Sequence, residues 1–365
     1  MHKKIINIQA GQDYRIVVIS DVHAHLKLLA KLLDKVNLKE DDILILLGDF
    51  LNRGIDSIET FEYVKGLSKR DNTYILKGNH ESFMQRHLYE NEHTEAFFAF
   101  LKQGYYETLI GTFVKEAGKS LEDLENSQMM LDILKDKRDE VHAFLESLPI
   151  IAYADDMRFV HGGFDESFDI SEDETRFLKF DNYNTLAKVN DRTTIVGHWP
   201  ASELRNTELT NLPHFNDHKN IIFIDGGLGV KDTGELNAFI IEKAKGRKNY
   251  DLVQVNNFEV KTVAEDTCFK NEPPLYLSYP DDSFDVLHVQ EGWAKCQHAS
   301  SHRTFHVMTD LLVKNKDIYA IKTNYVNQFL NVRAGTQVEL CKCYGDYAIV
   351  KHSDNFAWLR TEQLK

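Results

Sequence analysis

Cysteine, proline, long apolar runs and positive charge are all in short supply in this 365-residue chain. The four cysteines, Cys268, Cys296, Cys341 and Cys343, lie in the C-terminal third, and a disulfide framework is not expected in a reducing compartment. No apolar run is long enough to cross a membrane, and MHKKIINIQAGQDY lacks the apolar core of a signal peptide, so the cytoplasm is the expected location and no membrane partner is expected. Of only six prolines, Pro273, Pro274 and Pro280 fall between 256 and 284, which predicts a linker or irregular region over 256–312. Lys and Arg number 43 against 57 Asp and Glu, a formal charge of −14 that disfavours a nucleic-acid partner. An anionic substrate remains compatible, because a local cation reverses the field inside a cleft.

What is present is the balance of a soluble globular protein, 42% hydrophobic and 27% charged. RIVVIS (15–20), DILILLG (42–48) and NTYILKG (72–78) read as buried strands. Leu26, Leu29, Leu33 and Val36 recur at helical spacing between the first two, so the start of the chain reads βαβ. Residues 82–147 are predicted mostly helical, an insertion forming a cap. Strands resume at MRFVHG (157–162), TTIVGH (193–198), IIFIDGG (221–227) and ELNAFIIE (235–242). The last fifty or so residues hold short β-runs separated by AGT, YGD and HSDN, the pattern of a small barrel.

The strand ends share a property. SDVH, GDFLNRG, GNHE, HGG, GHWP and IDGG each place a polar residue just past an apolar run, and most place glycine beside it. On an extended exit, Asp21 and His23 would point to one side; a helix N-cap at Asp21 is the simpler alternative. Asp21, His23, Asp49, Asn79, His80, His161 and His198, met in series, point to a centre with several metal ligands. A phosphate ester repels hydroxide, and two divalent ions remove that obstacle. Nitrogen and oxygen donors without thiolate favour Mn, with Fe, Zn, Co or Ni also suited. Arg53 supplies a planar two-pronged grip on phosphate.

SDVH, GDxxxRG, GNHE, HGG and GHxP resemble the blocks of the calcineurin-like metallophosphoesterases, and more narrowly the bacterial serine/threonine phosphatases of the PPP type, over roughly residues 15–242. The resemblance implies an α/β fold, a β-sandwich flanked by helices (αββα) occupying residues 1–255. It implies that Asp21, His23 and Asp49 hold one metal and that Asp49 bridges to a second held by Asn79, His161 and His198. His80 would be the general acid and Arg53 the phosphate ligand, helped by Asn79. The implied reaction is in-line attack by a metal-bridging hydroxide. Asn52 stands where the protein phosphatases have an aspartate that orients the histidine, which should weaken His80 as an acid and favour anhydride substrates. A second phosphate-binding cation is expected at Arg176 or Lys179. Ser20 and Ala24 replace family glycines, and the extra His25 is expected to play a structural role.

Other residues have bland readings. Asp225 is expected to form a turn rather than reach the mouth of the site. Cys341 and Cys343 are expected to be ordinary strand cysteines; zinc binding with Cys296, His298 or His302 is the alternative. Residues 313–365 resemble a bacterial SH3-like module through LNVRAGTQV, YAIV and WLRTEQL, which implies a small β-barrel and protein docking. The favoured function is a dinuclear metal-dependent phosphatase acting on phosphoserine or phosphothreonine. The alternatives are hydrolysis of dinucleoside polyphosphates or other nucleotides, and a binding protein with a vestigial metal site.

Overall fold

The computed structural model describes residues 4–89, 94–104, 107–315 and 318–365. The chain divides into two compact units, one comprising residues 1–200, 213–229 and 235–255, the other 201–212, 230–234 and 256–365.

The first unit holds two sheets. The six-stranded sheet contains β1 (Ile5–Ile8), β5 (Ile151–Ala154), β6 (Met157–Val160), β7 (Thr193–Val196), β8 (His214–Asn216) and β9 (Ile221–Phe223), in the order β1-β5-β6-β7-β9-β8. The five-stranded sheet contains β2 (Tyr14–Ile19), β3 (Ile43–Leu46), β4 (Thr73–Ile75), β10 (Leu236–Ala244) and β11 (Arg247–Val255), in the order β11-β10-β2-β3-β4. The apolar runs of β2 and β3 bury both faces. Ile16, Val18, Ile43 and Ile45 pack with Phe159, Ile195 and Ile222 of the other sheet. Val17, Ile19, Leu44 and Leu46, on the opposite face, join the core beneath the helices.

Those helices are α1 (Leu26–Val36), α2 (Ser57–Leu67), α3 (Asn79–Tyr89), α4 (Thr94–Lys102), α5 (Leu109–Glu116) and α6 (Ser127–Ser147), followed by the short α7 (Thr175–Leu178) and α8 (Tyr183–Leu186). Helix α1 buries Leu28, Leu29, Leu32, Leu33 and Val36, a single helical stripe, and ends at Asn37 in the left-handed region. Helices α5 and α6 start at side-chain caps: Thr108 accepts from the Gly111 N–H and Asn126 from the Met129 N–H. Strands β2, β3 and β4 run parallel, as do β6, β7 and β9. The loops leaving their C-terminal ends are where ligands bind in such sheets.

The second unit is β-rich. A four-stranded antiparallel sheet joins β12 (Glu259–Thr262) to β20 (Gln337–Tyr344), β21 (Tyr347–His352) and β22 (Asn355–Arg360). A five-stranded sheet has β14 (Phe284–Gln290), β15 (Trp293–His298), β16 (Thr304–Met308), β17 (Leu312–Asn315) and β18 (Ile318–Ile321) in the order β16-β15-β14-β18-β17, and β13 (Tyr276–Leu277) pairs β19 (Tyr325–Val326). Residues 256–312 are therefore not a linker. Phe284, Ala294, Cys296, Phe305 and Val307 alternate inward along three of their strands and share a core with Trp358. Likewise β17 and β18, expected to open a module at 313, belong to the sheet of β14, with β18 pairing β14 and β17 pairing β18, rather than to that of β20–β22.

Candidate metal centre

The loops after β2, β3, β4, β6 and β7 bring the predicted donors together. Backbone bonds tie the first two: Asp21 N–H donates to Gly48 O (3.2 Å), His23 N–H to Asp49 O (2.9 Å) and Ala24 N–H to Phe50 O (2.9 Å). Asp21, His23, Ala24, Asp49, Asn52, Arg53 and His198 all have positive φ, between 47° and 75°. Non-glycine residues rarely adopt this conformation, and such strain gathers at functional sites. It also corrects the expected extended exit: a turn, not strand alternation, brings His23 Nε2 to 3.8 Å from Asp21 Oδ1. Asp21 does not cap α1 either; His25 occupies that position, with its Nδ1 3.2 Å from Val22 O. Two glycines permit the close approach. A Cβ on Gly78 would strike Asp49, and one on Gly197 would strike Ser20 and Asp21.

Ligand atoms of His23, Asp49 and His80 cluster within 4.8 Å, as do those of Asp49, His161 and His198; Asp49 belongs to both groups. Asp49 Oδ2 lies 3.3 Å from His161 Nε2 and 4.0 Å from His80 Nε2. The oxygen position of the Asn79 amide is 3.0 Å from His161 Nε2, 3.2 Å from Asp49 Oδ2 and 2.9 Å from His198 Nδ1. With oxygen there, lone pairs face lone pairs, which a cation satisfies. With the amide turned over, its NH₂ would fill the same place in a cation-free protein. The donor set therefore fits a divalent ion.

The outer partners fix which ring nitrogen is bare. His161 Nδ1 lies 2.7 Å from Leu47 O, which can only accept, so Nδ1 carries the proton and Nε2 faces Asp49. His198 Nε2 donates to Asp181 Oδ1 at 3.2 Å, leaving Nδ1 for the centre. His23 Nδ1 sits 3.4 Å from Leu51 O, which again turns Nε2 inward. Asp21 Oδ2 accepts from the Ser20 hydroxyl and the His198 N–H, so Oδ1 remains on the His23 side.

His80 is different. Leu109 N–H, an unpaired donor at the start of α5, donates to Asn52 Oδ1 at 3.0 Å. That fixes the amide, so its Nδ2 donates to His80 Nδ1 at 3.2 Å. The imidazole is then neutral with its proton on Nε2, which makes it a hydrogen-bond donor toward the centre rather than a metal ligand. Burial, more than the Arg53 charge, pushes the His80 pKa down to about 4.

The surrounding charges call for a cation. Burial pushes Asp21 up. Burial would also raise Asp49, but His161 and His80 outweigh it and hold Asp49 well below the usual carboxylate range. Burial lowers His161, yet Asp49 and Asp21 beside it raise that imidazole to about 10. Two buried carboxylates beside that imidazole form a site whose charge a divalent cation would balance.

Arg53 lines a cavity of about 410 Å³ beside the centre, and so does Lys179. Arg176 is directed elsewhere: it pairs with Asp173 at 3.4 Å and lies over the Phe168 ring at 4.5 Å. Of the two candidate second cations, Lys179 is the one at the cavity. Asp225 is buried, and its Oδ1 accepts from Gly227 N–H at 2.7 Å, a turn. The metal-ligand clusters among the described residues contain no cysteine; Cys296 is buried, Cys343 exposed, and His298 bonds Ser301 and Asp281.

Glu81 and Asp181 escaped the sequence reading. Glu81 Oε2 accepts from Asp49 N–H (2.7 Å) and Gly78 N–H (2.9 Å), and its Oε1 from Leu51 N–H (3.1 Å), so one carboxylate clamps two ligand loops. Its place in GNHE was the available signal. Asp181, on an irregular stretch far from any block, offered none.

The calcineurin-like phosphoesterase profile matches residues 14–203, which contain every donor named above. Similar solved structures include a putative diadenosine tetraphosphatase (16% identity, 69% of this chain and 98% of that one, TM-score 0.43). Another is a cold-active protein-tyrosine phosphatase of a psychrophilic Shewanella (16%, 67% and 81%, 0.42). A third is a protein serine/threonine phosphatase from Saccharomyces cerevisiae (15%, 71% and 85%, 0.42). The profile match and the convergent donors together make the chain a member of the calcineurin-like phosphoesterase family, a metal-dependent phosphoesterase.

Proposed function

We propose that this chain is a hydrolase dependent on two divalent metal ions, manganese by preference, that acts on phosphoanhydrides of nucleotide type in preference to phosphoserine or phosphothreonine. Asp21, His23 and Asp49 would hold one ion, and Asp49, Asn79, His161 and His198 the other. When bound, such ions supply positive charge to the phosphoryl oxygens and lower the pKa of water toward neutrality. Arg53 grips the phosphoryl group from the cavity side. His80 offers its Nε2–H to the leaving oxygen.

The bond from Leu109 N–H to Asn52 to His80 Nδ1 carries the substrate preference. A neutral imidazole is a poor acid. A serine alkoxide needs a proton as it leaves, whereas a phosphate leaving group does not. The motif order favours the second reading, a serine/threonine phosphatase. The resemblance of the C-terminal residues to an SH3-like module supports protein docking there, and the composition supports a cytoplasmic location. A binding protein with a vestigial centre would have little use for a complete donor set.

Manganese-loaded protein should turn over diadenosine tetraphosphate with a kcat/KM at least about tenfold above that for a phosphoserine peptide. The reverse ratio would install the phosphatase reading, and no turnover of either, or of p-nitrophenyl phosphate, would sink both.

A further inference from the structure

We propose that the cavity running from the metal centre along α3 is a leaving-group subsite for a nucleoside polyphosphate, with Arg86 and Lys179 holding the departing phosphates and Phe83 and Phe100 the base. This rests on the hydrolase reading above.

Asn79, Phe83 and Arg86 lie at i, i+4 and i+7 of α3, so they form one stripe leading away from the metal centre. At 1.5 Å per residue the stripe extends about 10 Å, room for groups beyond the transferred phosphate. Arg53, Arg86 and Lys179 line the cavity, and among the described residues no carboxylate does. Three cations facing one hollow in a chain of net charge −14 exceed what a single phosphate needs. Phe83 and Phe100 meet edge to face with ring centroids 5.6 Å apart. Both are only half-buried and belong to the cavity wall, where an aromatic base finds a stacking surface. A volume of about 410 Å³ falls in the range of small-molecule sites.

The Lys179 wall is held in place. Buried Lys77 reaches Gln85 of α3 at 2.9 Å and Glu174 at 3.4 Å, so the segment before α7 is tied to the helix that carries Phe83 and Arg86. In the reaction a water oxygen bonds to phosphorus and the bridging P–O bond breaks. The electron pair leaves with the nucleotide phosphate, and the water proton passes to solvent.

Arg86→Ala tests this, because Arg86 is exposed and its removal leaves the core untouched. Phe83→Leu is a second variant. Each should lower the ratio of kcat/KM on diadenosine tetraphosphate to that on p-nitrophenyl phosphate by about tenfold. Each should also weaken ADP binding, followed by isothermal titration, by a similar factor. An unchanged ratio with unchanged ADP binding overturns the subsite. A ratio that falls instead for an acidic phosphopeptide overturns it in favour of a peptide groove. Failure of the wild type on p-nitrophenyl phosphate sinks the hydrolase reading itself, and the ADP titration still reports on the subsite separately.

Discussion

The two sheets of the catalytic unit contribute unequally to the centre. From the five-stranded sheet come Asp21, His23, Asp49, Asn79, His80 and Arg53, on loops that bond directly to one another and are clamped by Glu81. From the six-stranded sheet come only His161 and His198, each oriented by a single outer acceptor, Leu47 O and Asp181. One sheet thus supplies a pre-built cradle around Asp21 and Asp49, and the other adds two imidazoles. The difference predicts a hierarchy of damage.

Asp49→Ala removes the carboxylate shared by both groups of donors. It should abolish binding of both metal equivalents, read by elemental analysis, and lower kcat by about 10³-fold or more. A variant that kept both metals would break the asymmetry outright. Glu81→Gln leaves every ligand in place but weakens the clamp, so metal affinity should fall about 10–100-fold. An unaltered affinity would show that the loops hold themselves. Asn52→Asp turns a donor toward His80 into an acceptor while preserving the bond from Leu109. It should raise kcat on a phosphoserine peptide about tenfold relative to p-nitrophenyl phosphate; a ratio that stays put would count against the tautomer assigned to His80. Asp181→Ala, on the less supported side and half-exposed, should weaken metal binding by only about a few-fold, and a larger loss would show the two sheets to be equals.

Legibility in the sequence followed the same division. The buried strands β2 and β3 announce themselves as unbroken apolar runs because both faces are covered. The polar residues just past them then stand out. Edge strand β11 does not: it reads RKNYDLVQV, largely exposed, and its charges hide it. In the second unit, 284–308 was misjudged because scattered charge on the outward face of β14–β16 masks the inward alternation of Phe284, Cys296 and Phe305. The residues that converge at the candidate centre are legible because metal chemistry demands particular residue types. Arg176 and Lys179 are not distinguishable in the sequence, since the direction of Arg176 depends on the Phe168 ring, which no spacing rule places. The left-handed turn at Asp21 was equally invisible, as no glycine marks it.

One amide links two parts of the catalytic unit that are distant in the chain. Asn52 caps the first turn of α5 with its oxygen and steers His80 with its nitrogen. Anything that frays that turn, such as a ligand or a substitution at Leu109, also unlocks the imidazole and lets its proton migrate between ring nitrogens. The orientation of the His80 ring is in this sense set from within the helical insertion, by the integrity of the first turn of α5.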